Sequence, residues 1–579
     1  MESLKKVEHF EEEHNIAMKN YGINYCENTS IHGLKYVVNK NLYPIERLFF
    51  AISFICVLFG TVFFVEKIYE KWNSTPMLVS INPKFTEITS EPFPAVTICN
   101  LNQAYRAKAE RFSVNSLNYT IIQMICNREV NVSVAAEITD WSNLKEFIFD
   151  ISQPCSNMIL RCNYGGKVFN CTEIFRPIIT DNGLCCTFNM VDPKFMYRES
   201  INKSLLANNY QYPKGYEPVD WSAEAGYLAN LPENFIPMKT VGIGESLGLS
   251  LTLDVESEQY YCSSSDSVGF KILLHNPLEV PNMREIGLLL SPGRETKVRI
   301  QTEKVESDRY VRYISKNSRR CLFENEMHLD FYNEYTQRNC VVECSADTLL
   351  AHCGCLPYFK PMLYGNETIC DIRDTPCVER VRLLTMLINK SGKGCAAECP
   401  SSCNDLSYLP TFFSAPLLHA GFQIDNQMVK NISSEYVQKN IAMVKIYFKD
   451  SAYRSEKNMD FIGVTDFLSN IGGIIGLFFG FSFISLAELV FYAILRPIRM
   501  LIVSQTYRFT RSVKLRRMKS VRPLFEKQSI GVLQQSNFYV QNALKRGRAC
   551  QVAASREHLL GYEANKSNVA WQPGMEYTP

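Results

Sequence analysis

The segment from Phe467 to Tyr492 reads FLSNIGGIIGLFFGFSFISLAELVFY, and it decides the architecture of this 579-residue chain. It is apolar and long enough to cross a bilayer, which takes about 20 residues. Yet it contains four glycines, three serines and one acid, Glu488. An ionisable group inside a membrane is costly and indicates function by default, while glycines permit close helix approach or carbonyls that face a cavity. The segment is therefore predicted to line a pore rather than to act only as an anchor.

A second apolar segment, LFFAISFICVLFGTVFFV from Leu48 to Val65, can also cross a membrane. Residues 1–40 are polar and partly acidic, without the apolar core of a cleaved signal peptide, so this segment is expected to be the anchor. Lys and Arg remain on the cytoplasmic side of membranes, and nine of them follow the C-terminal segment. They are Arg496, Arg499, Arg508, Arg511, Lys514, Arg516, Arg517, Lys519 and Arg522.

These features predict a plasma-membrane protein that spans the membrane twice, with both termini in the cytosol. The predicted parts are an N-terminal tail (1–46), a first transmembrane helix (47–66), an extracellular cysteine-rich domain (67–460), a second, pore-lining transmembrane helix (461–495) and a C-terminal tail (496–579). The net charge of +2 gives no global field that would attract a nucleic acid, so no such partner is expected.

Cysteines and glycosylation sequons support this orientation independently. Of 21 cysteines, 18 lie between Cys99 and Cys403, an even number that indicates a disulfide framework in an oxidising compartment. Asn-x-Ser/Thr sequons predict glycosylation in the same region. The expected sites are Asn118, Asn131, Asn170, Asn202, Asn366, Asn389 and Asn431, whereas Asn73 lies close to the membrane and Asn28 and Asn565 lie in the tails.

The extracellular region reads as a β-rich core with a helical lobe, an α+β fold. Alternating or β-branched runs predict strands. They are 93–99, 247–254, 269–275, 297–301 and 442–448. From Cys321 to Cys403 the pattern changes to short polar segments that contain ten cysteines, and two helices are predicted at roughly 324–350 and 377–391.

Eight features in fixed order then resemble the degenerin, epithelial sodium channel and acid-sensing channel family. They are His32-Gly33; FPAVTICN from Phe93; GLCCTFN from Gly183; Gly244 to Asp254; Ser291-Pro-Gly293; the cysteine lobe; Gly472-Gly473; and Gly480-Phe481-Ser482 followed by Glu488. The phrases SIHGLK from Ser30, YTQRNC from Tyr335 and GLFFGFS from Gly476 are most similar to its insect pickpocket branch. The resemblance covers roughly residues 30–500.

The resemblance implies a trimer, a palm-like β core, a helical thumb at about 321–403 and a cation pore that prefers sodium. Gly480, Phe481 and Ser482 match the Gly-x-Ser belt, which forms the constriction and selectivity site. Three copies of a backbone carbonyl and a small hydroxyl can replace water around a small cation. Phe481 stands where other branches have Ala, Ser or Gly.

The resemblance also assigns a gate. Ser469 matches the degenerin position, where a small residue lets the pore close and near which amiloride blocks. Asn470 replaces an Asp of acid-sensing relatives, and Asp466 offers a partial substitute. Glu488 matches the acid of the inner half of the second span. His32-Gly33 matches the cytosolic gating motif along the lower ion pathway, and Gly472 and Gly473 complete the pore segment.

The disulfides implied by the resemblance number seven. They are Cys99–Cys185, Cys162–Cys171, Cys321–Cys403, Cys340–Cys399, Cys344–Cys395, Cys353–Cys377 and Cys355–Cys370. Cys126, Cys155, Cys186 and Cys262 remain unassigned.

Several other functions fit the sequence less well than a channel does. A plain anchor leaves Glu488 without a purpose, and zinc suits neither the compartment nor the few histidines. The Gly244–Gly248 stretch fits a hydrolase nucleophile elbow, but a β-patterned run follows it, so no catalytic residue, enzyme activity, metal or cofactor is expected beyond the permeant sodium ion.

The sequence leaves four hypotheses about function. The leading hypothesis is a homo- or heterotrimeric channel gated through the extracellular domain by an unknown ligand, proton or force. The main alternative is a non-conducting accessory subunit of a heteromeric channel. An ATP-gated channel would have fewer cysteines and no Gly-x-Ser belt, and a two-span ectoenzyme lacks a catalytic constellation. For proton sensing, Glu324, Glu326 and Asp330 are the candidate carboxylates.

Overall fold

The structure is a computed structural model. It describes residues 21–74, 77–114, 116–126, 141–199, 212–360, 362, 367–371, 373–390, 394–417, 432–499, 501–503, 505–506, 509 and 512–513. Four predicted glycosylation sites, Asn131, Asn202, Asn366 and Asn431, lie outside these residues. The chain divides into two compact units, one of Val62–Gly473 and one of Met1–Thr61 with Ile474–Pro579.

The first apolar segment forms the helix Pro44–Ser74, which extends beyond the predicted span of 47–66 at both ends. Among the described residues, it is the one unbroken helix long and apolar enough to cross a membrane. Only 6% of its most apolar window is buried within the chain. A helix that is apolar all round and exposed is stable only against lipid or other chains, which fits a membrane segment.

The second apolar segment is broken, which corrects the expectation of one continuous helix over 461–495. It consists of the helices Val464–Phe479 and Phe483–Val490, followed by a π-helical turn at Phe491–Leu495. Taken together, Val464–Phe479 and the stretch Phe483–Val503 are long and apolar enough to cross a membrane, with a bend of 76° between them. On the N-terminal side, the same unit contains the short helices Tyr21–Asn28 and Leu34–Val38.

A central sheet of eight strands forms the middle of the cysteine-rich unit. Its order is Met77–Ile81, Glu456–Asp460, Arg294–Ser307, Ile441–Phe448, Leu249–Asp254, Ile159–Tyr164 and Lys167–Phe169, with Asp405–Pro416 also paired to Arg294–Ser307. The 14-residue strand Arg294–Ser307 is antiparallel to Asp405–Pro416 but parallel to Ile441–Phe448. It therefore ties the start, the middle and the end of the unit into one sheet.

A second sheet has five strands. Their order is Leu288–Leu290, Phe270–His275, Ala95–Asn100, Gly183–Phe188 and Phe175–Thr180. Five two-stranded ladders complete the described strands: Trp221–Ser222 with Gly226–Tyr227, Glu217–Pro218 with Phe235–Ile236, Asn102–Tyr105 with Tyr260–Ser263, Cys321–Leu322 with Ser401–Ser402, and Thr86–Glu87 with Ala452–Tyr453. All five strands predicted from the sequence are present.

The two large sheets share one hydrophobic core. Phe93, Phe188 and Phe270 from the second sheet and its approach, and Leu251 and Val444 from the central sheet, belong to one buried cluster. Alternating apolar residues on strands place one face of each sheet in such a core. The period-two run that begins at Leu247 therefore lies where its pattern predicts.

The remaining helices lie around these sheets. The longer ones are Leu117–Ile125, Trp141–Ile151, Gln337–Cys353, Thr375–Lys390 and Ser434–Asn440, and the short ones are Arg106–Ala109, Cys155–Met158, Cys171–Ile174, Pro193–Met196, Met283–Ile286, Lys316–Arg319 and Cys395–Glu398. The second thumb helix agrees with its prediction of 377–391 within two residues. The first begins at Gln337, so the prediction of helix from 324 is wrong for about thirteen residues.

Nine disulfides cross-link the unit. They include all seven pairings that the resemblance implied. The four unassigned cysteines form Cys126–Cys262 and Cys155–Cys186. Among the described residues, only Cys26 and Cys56 are free thiols.

Candidate ion pathway

The break in the second apolar segment falls on Gly480, Phe481 and Ser482, the three residues predicted to select ions. Gly480 has φ +62°, the left-handed region that favours glycine, and its N–H donates to the carbonyl of Gly476 at 2.8 Å. Ser482 is extended, and its hydroxyl accepts the N–H of Ser485, which starts the next helix with a capping box. A glycine that ends one helix and a serine that begins the next thus explain the break.

The His32-Gly33 motif lies directly against this break. The His32 N–H donates to the carbonyl of Phe479 at 2.9 Å. A Cβ added to Gly480 would lie 2.6 Å from the imidazole Nδ1, so a larger residue there would have to displace the His32 ring. Gly33 itself has φ +87° and turns the chain into the helix Leu34–Val38. His32 and Gly480 lie 448 positions apart in the sequence, and their two motifs therefore form one site.

Two polar contacts of Ser30, which sequence reasoning did not single out, extend the site inward. The Ser30 N–H donates to Glu488 Oε2 at 2.9 Å. The Ser30 hydroxyl lies 2.7 Å from that of Ser485, which is 1% exposed. Glu488 therefore has a hydrogen-bond partner within its own chain, supplied by the N-terminal segment. In the sequence, a serine two positions before His32 is the only sign of these contacts.

Small residues form one face of the outer helix, Val464–Phe479. Ser469, Gly473, Gly476 and Gly480 follow at intervals of four, three and four, which places them on one side of a helix. A Cβ added at Gly473 would meet nothing within 4 Å in the described chain. Ser469, Asn470 and Gly472 are likewise exposed. This side of the helix leaves room for another helix or for an open path.

The ends of the two apolar helices that adjoin the disulfide-rich domain are joined through a pair of strands. Met77–Ile81 closely follows the first helix, and Glu456–Asp460 closely precedes the second. The two strands pair antiparallel, with Met77 opposite Asp460. Trp72 stacks on Phe467 with ring centroids 4.7 Å apart. A displacement of the sheet would therefore reach both helices at once.

The acidic residues proposed for proton sensing have three different environments. Burial alone would raise the pKa of Glu326, but hydrogen bonds from Arg319 and from the Phe323 N–H lower it. Asp330 is largely exposed, 3.7 Å from His328. Burial, together with the nearby charge of Asp220, raises the pKa of Glu324 to about 7, against the effect of a hydrogen bond from Ser222.

Glu334, which the sequence did not suggest, is the neighbour of Glu324 in this acidic cluster. Burial, followed by repulsion from Glu324 and Asp220, raises the pKa of Glu334 to about 8. The cluster connects the hairpin at Trp221–Tyr227 with the start of the thumb, because the Glu224 N–H donates to Glu324 Oε1 at 3.1 Å.

The stretch Gly244–Gly248 is no nucleophile elbow. The strand Leu249–Asp254 follows it, where the elbow requires a helix. Glu245 forms ion pairs with Lys297 and Lys445, so this turn is attached to two neighbouring inner strands of the central sheet. The hydrolase alternative has no support in the fold.

Several known proteins are similar to this chain over most of its length. The sequence model of the family described as "Amiloride-sensitive sodium channel" matches residues 25–492. The chain is 34% identical to Pickpocket protein 28 of Drosophila melanogaster over 488 residues, covering 83% of this chain and 79% of that protein. It is 24% identical over 503 residues to the human bile acid-sensitive ion channel, covering 82% and 87%, and 23% identical over 532 residues to the bovine epithelial sodium channel subunit beta, covering 80% of each.

The matched range contains both apolar segments, the disulfide-rich domain and the His-Gly and Gly-Phe-Ser motifs that meet at the break. These proteins are membrane channel subunits and not enzymes. The chain belongs to the amiloride-sensitive sodium channel family, together with the pickpocket proteins and the epithelial sodium channel subunits.

Proposed function

We propose that this chain is a pore-forming subunit of a trimeric, sodium-preferring cation channel that crosses the plasma membrane twice, with both termini in the cytosol. The observation that carries the proposal is the break at Gly480–Ser482, held against His32 inside an otherwise apolar segment. Irregular backbone at membrane depth is tolerated where it is buried in protein or lines a water-filled cavity. An anchor would have no use for such a break.

The chemistry of the break suits a small cation. Three copies of the carbonyls near Gly480 and of the Ser482 hydroxyl would form a ring of oxygen ligands that replaces part of the water around sodium. Glu488 would add negative charge on the cytosolic side of that ring. Amiloride would block at the outer mouth, near the exposed Ser469.

Gating is proposed to start in the extracellular domain. The strands Met77–Ile81 and Glu456–Asp460 pair with each other and, through Arg294–Ser307, with the rest of the central sheet. A stimulus that moves the thumb or this sheet would therefore act on both membrane helices. Protons, force and extracellular ligands are all compatible with this route.

An accessory subunit is the second candidate, and Phe481 favours it. A bulky aromatic residue stands at the centre of the break, between Gly480 and Ser482. Three such rings would narrow a homotrimeric constriction. In a mixed trimer with relatives that carry a smaller residue, the same position would be less crowded.

Introducing a thiol at the proposed gate tests both candidates. The variant is Ser469→Cys in a background with Cys56→Ser, because Cys56 is an exposed free thiol. A bulky, membrane-impermeant thiol reagent applied from outside should then wedge the pore open without knowledge of the stimulus. The expected result is an inward, amiloride-sensitive sodium current.

Ser469→Ala in the same background is the matched control, since it keeps a small residue but offers no thiol. It should give no response to the reagent. Silence of Ser469→Cys despite confirmed surface expression would exclude the homomeric channel. Current that appears only on co-expression with a relative would establish the accessory subunit.

A further inference from the structure

We infer that the thumb-base segment, residues 308–320, is a docking surface for the phospholipid headgroups of the outer leaflet, which rests on the proposed two-span topology. The segment joins the long strand Arg294–Ser307 to the thumb. It contains the 3-10 helix Arg309–Tyr313 and the short helix Lys316–Arg319. Its position, its two exposed tyrosines and its charge all favour a lipid surface as the occupant.

The thumb-base segment lies beside the outer end of the first apolar helix. Val311 is fully buried in a cluster against which Met77 packs, three residues after that helix ends. Near the other end of the segment, Arg320 lines the same cavity as Ser74, the last residue of the helix. Both ends of the segment are therefore held close to the level at which the chain leaves the membrane.

The first helix gives the height of this level above the membrane. Its apolar part ends at Val65, and Ser74 follows nine positions later. At 1.5 Å per residue, Ser74 lies about 14 Å beyond the hydrocarbon core, or less if the helix is tilted. The headgroup layer fills roughly the first 5–7 Å of that distance. Long Arg and Tyr side chains at the level of Ser74 can bridge the remainder, with their polar ends at the lipid phosphates.

The 3-10 helix leaves its tyrosines uncovered. Residues three positions apart eclipse in such a helix, so Tyr310 and Tyr313 share one edge of it. Val311 is the one buried residue of this helix. Tyr310 is 66% exposed and Tyr313 is 87% exposed. An apolar ring with a polar hydroxyl suits the membrane–water interface, where tyrosine is enriched.

The charge of the segment suits phosphate groups. Five basic residues and no acidic residue lie between positions 309 and 320. Arg312, Lys316 and Arg319 bind acceptors within the protein. The guanidinium groups of Arg309 and Arg320 have no partner among the residues that the structure describes, and both residues are exposed. Guanidinium groups bind phosphate with two parallel hydrogen bonds, so these two arginines are available for lipid headgroups.

The neighbouring part of the first helix has the same character. Lys67, Tyr69 and Lys71 are exposed and follow Val65 by two to six positions, which places them in the headgroup layer. Basic and aromatic side chains at this depth are typical of a membrane interface. The thumb-base segment therefore continues an interface that the helix begins.

Site-specific photo-cross-linking tests which molecule covers the segment. The photoreactive residue p-benzoylphenylalanine replaces Tyr313, or Tyr310 in a second protein, in the full-length chain. The protein is placed in nanodiscs of phosphatidylcholine and phosphatidylglycerol in equal parts, and mass spectrometry of the digested chain identifies phospholipid adducts after irradiation. The same label at Val168 is the matched control, because Val168 is 62% exposed on the opposite edge of the central sheet from Met77–Ile81. The yield of lipid adduct at position 313 or 310 should exceed that at position 168 by about tenfold or more.

A label at Phe59 separates failure of this inference from failure of the topology. Phe59 is 70% exposed in the middle of the first apolar helix. Lipid adducts at Phe59, with none at positions 313 and 310 above the level at position 168, would overturn the docking surface and leave the membrane span intact. Cross-links from positions 313 and 310 only to a second copy of the chain would also overturn it. Absence of lipid adducts at Phe59 would refute the span, and the docking surface with it.

Discussion

One carboxylate oxygen of Glu334, Oε2, is buried without a hydrogen-bond partner among the described residues. Burial and the neighbouring Glu324 and Asp220 raise the pKa of this side chain to about 8. A buried carboxylate that cannot satisfy its charge is more stable as the neutral acid. Protonation therefore relieves repulsion between the hairpin at Trp221–Tyr227 and the start of the thumb.

The raised pKa of Glu334 determines how the stability of the folded state changes with pH. The pKa of Glu334 is higher in the folded state than the ordinary glutamate value, so the folded state binds the proton more tightly. Its stabilising contribution is complete below about pH 4.5 and is lost as the pH rises to about 8. Glu334→Gln should raise the unfolding temperature of the detergent-solubilised chain at pH 8 and leave it nearly unchanged at pH 5.

Glu326 supplies a control, because its pKa is shifted in the opposite direction. Its pKa is lowered by Arg319, whose side chain is 1% exposed, so its contribution is present above the ordinary glutamate pKa and is lost as the pH falls. Glu326→Gln should therefore lower the unfolding temperature at pH 8. Equal shifts of the same sign in both variants would show that the acidic cluster does not control the pH dependence.

Gly480 makes a second prediction at this scale. Alanine there would be strained by the positive φ and would meet the His32 ring, so Gly480→Ala should reduce sodium current at least tenfold at equal surface expression. Gly476→Ala is the matched control, because its Cβ would make only an ordinary contact of 3.7 Å with the Phe481 carbonyl. Equal currents from the two variants would contradict the close contact between the motifs.

At the scale of elements, the first thumb helix shows where local patterns mislead. Residues 324–336 do not form a helix because much of their backbone has other partners. The Glu343 carboxylate accepts the N–H groups of Asp330 and Phe331. Leu329 and Phe331 are both buried in one cluster, although residues two positions apart would point to opposite sides of a helix. The tertiary contacts therefore delay the helix until Gln337.

Thr336 starts that helix, and its removal should be measurable. The Thr336 hydroxyl accepts the Asn339 N–H at 3.1 Å, which satisfies a backbone donor of the first turn. Thr336→Ala should destabilise the thumb by about 1 kcal/mol, seen as a lower unfolding temperature of the full-length chain. Thr348→Ala, inside the same helix, should cost less because alanine is the better helix former there. A larger loss from Thr348→Ala would refute this assignment of the cap.

The break in the second apolar segment could have been predicted in part. Glycine is a common helix stop, and a serine two residues later is a common start, so Gly480-Phe481-Ser482 contains a complete boundary signal. The uniform hydropathy of the segment concealed it, because a span of that length is first read as one helix. The contact with His32 could not be read from the sequence, since no local pattern connects two such distant positions.

For the whole molecule, the cysteine count predicted the compartment and a framework, and the resemblance supplied seven pairings. The pairs Cys126–Cys262 and Cys155–Cys186 needed coordinates, because four cysteines allow three arrangements and spacing does not choose among them. The strands were predictable from their alternation. Their order was not, because Arg294–Ser307 pairs with partners at least 100 positions away in the sequence.

Membrane topology gives the last prediction. Asn118 and Asn170 lie in the described part of the disulfide-rich domain, and Asn28 lies in the helix that contacts the inner segment. If both apolar segments cross the membrane, only the first two meet the glycosylation machinery. Asn118→Gln and Asn170→Gln should each remove one endoglycosidase-sensitive step in gel mobility, whereas Asn28→Gln and Asn565→Gln should change nothing.

A glycan on Asn28 would place the N-terminus outside. A glycan on Asn565 together with one on Asn118 would mean that the second segment enters the membrane and returns, because its 76° bend would then turn the chain back to the side from which it came.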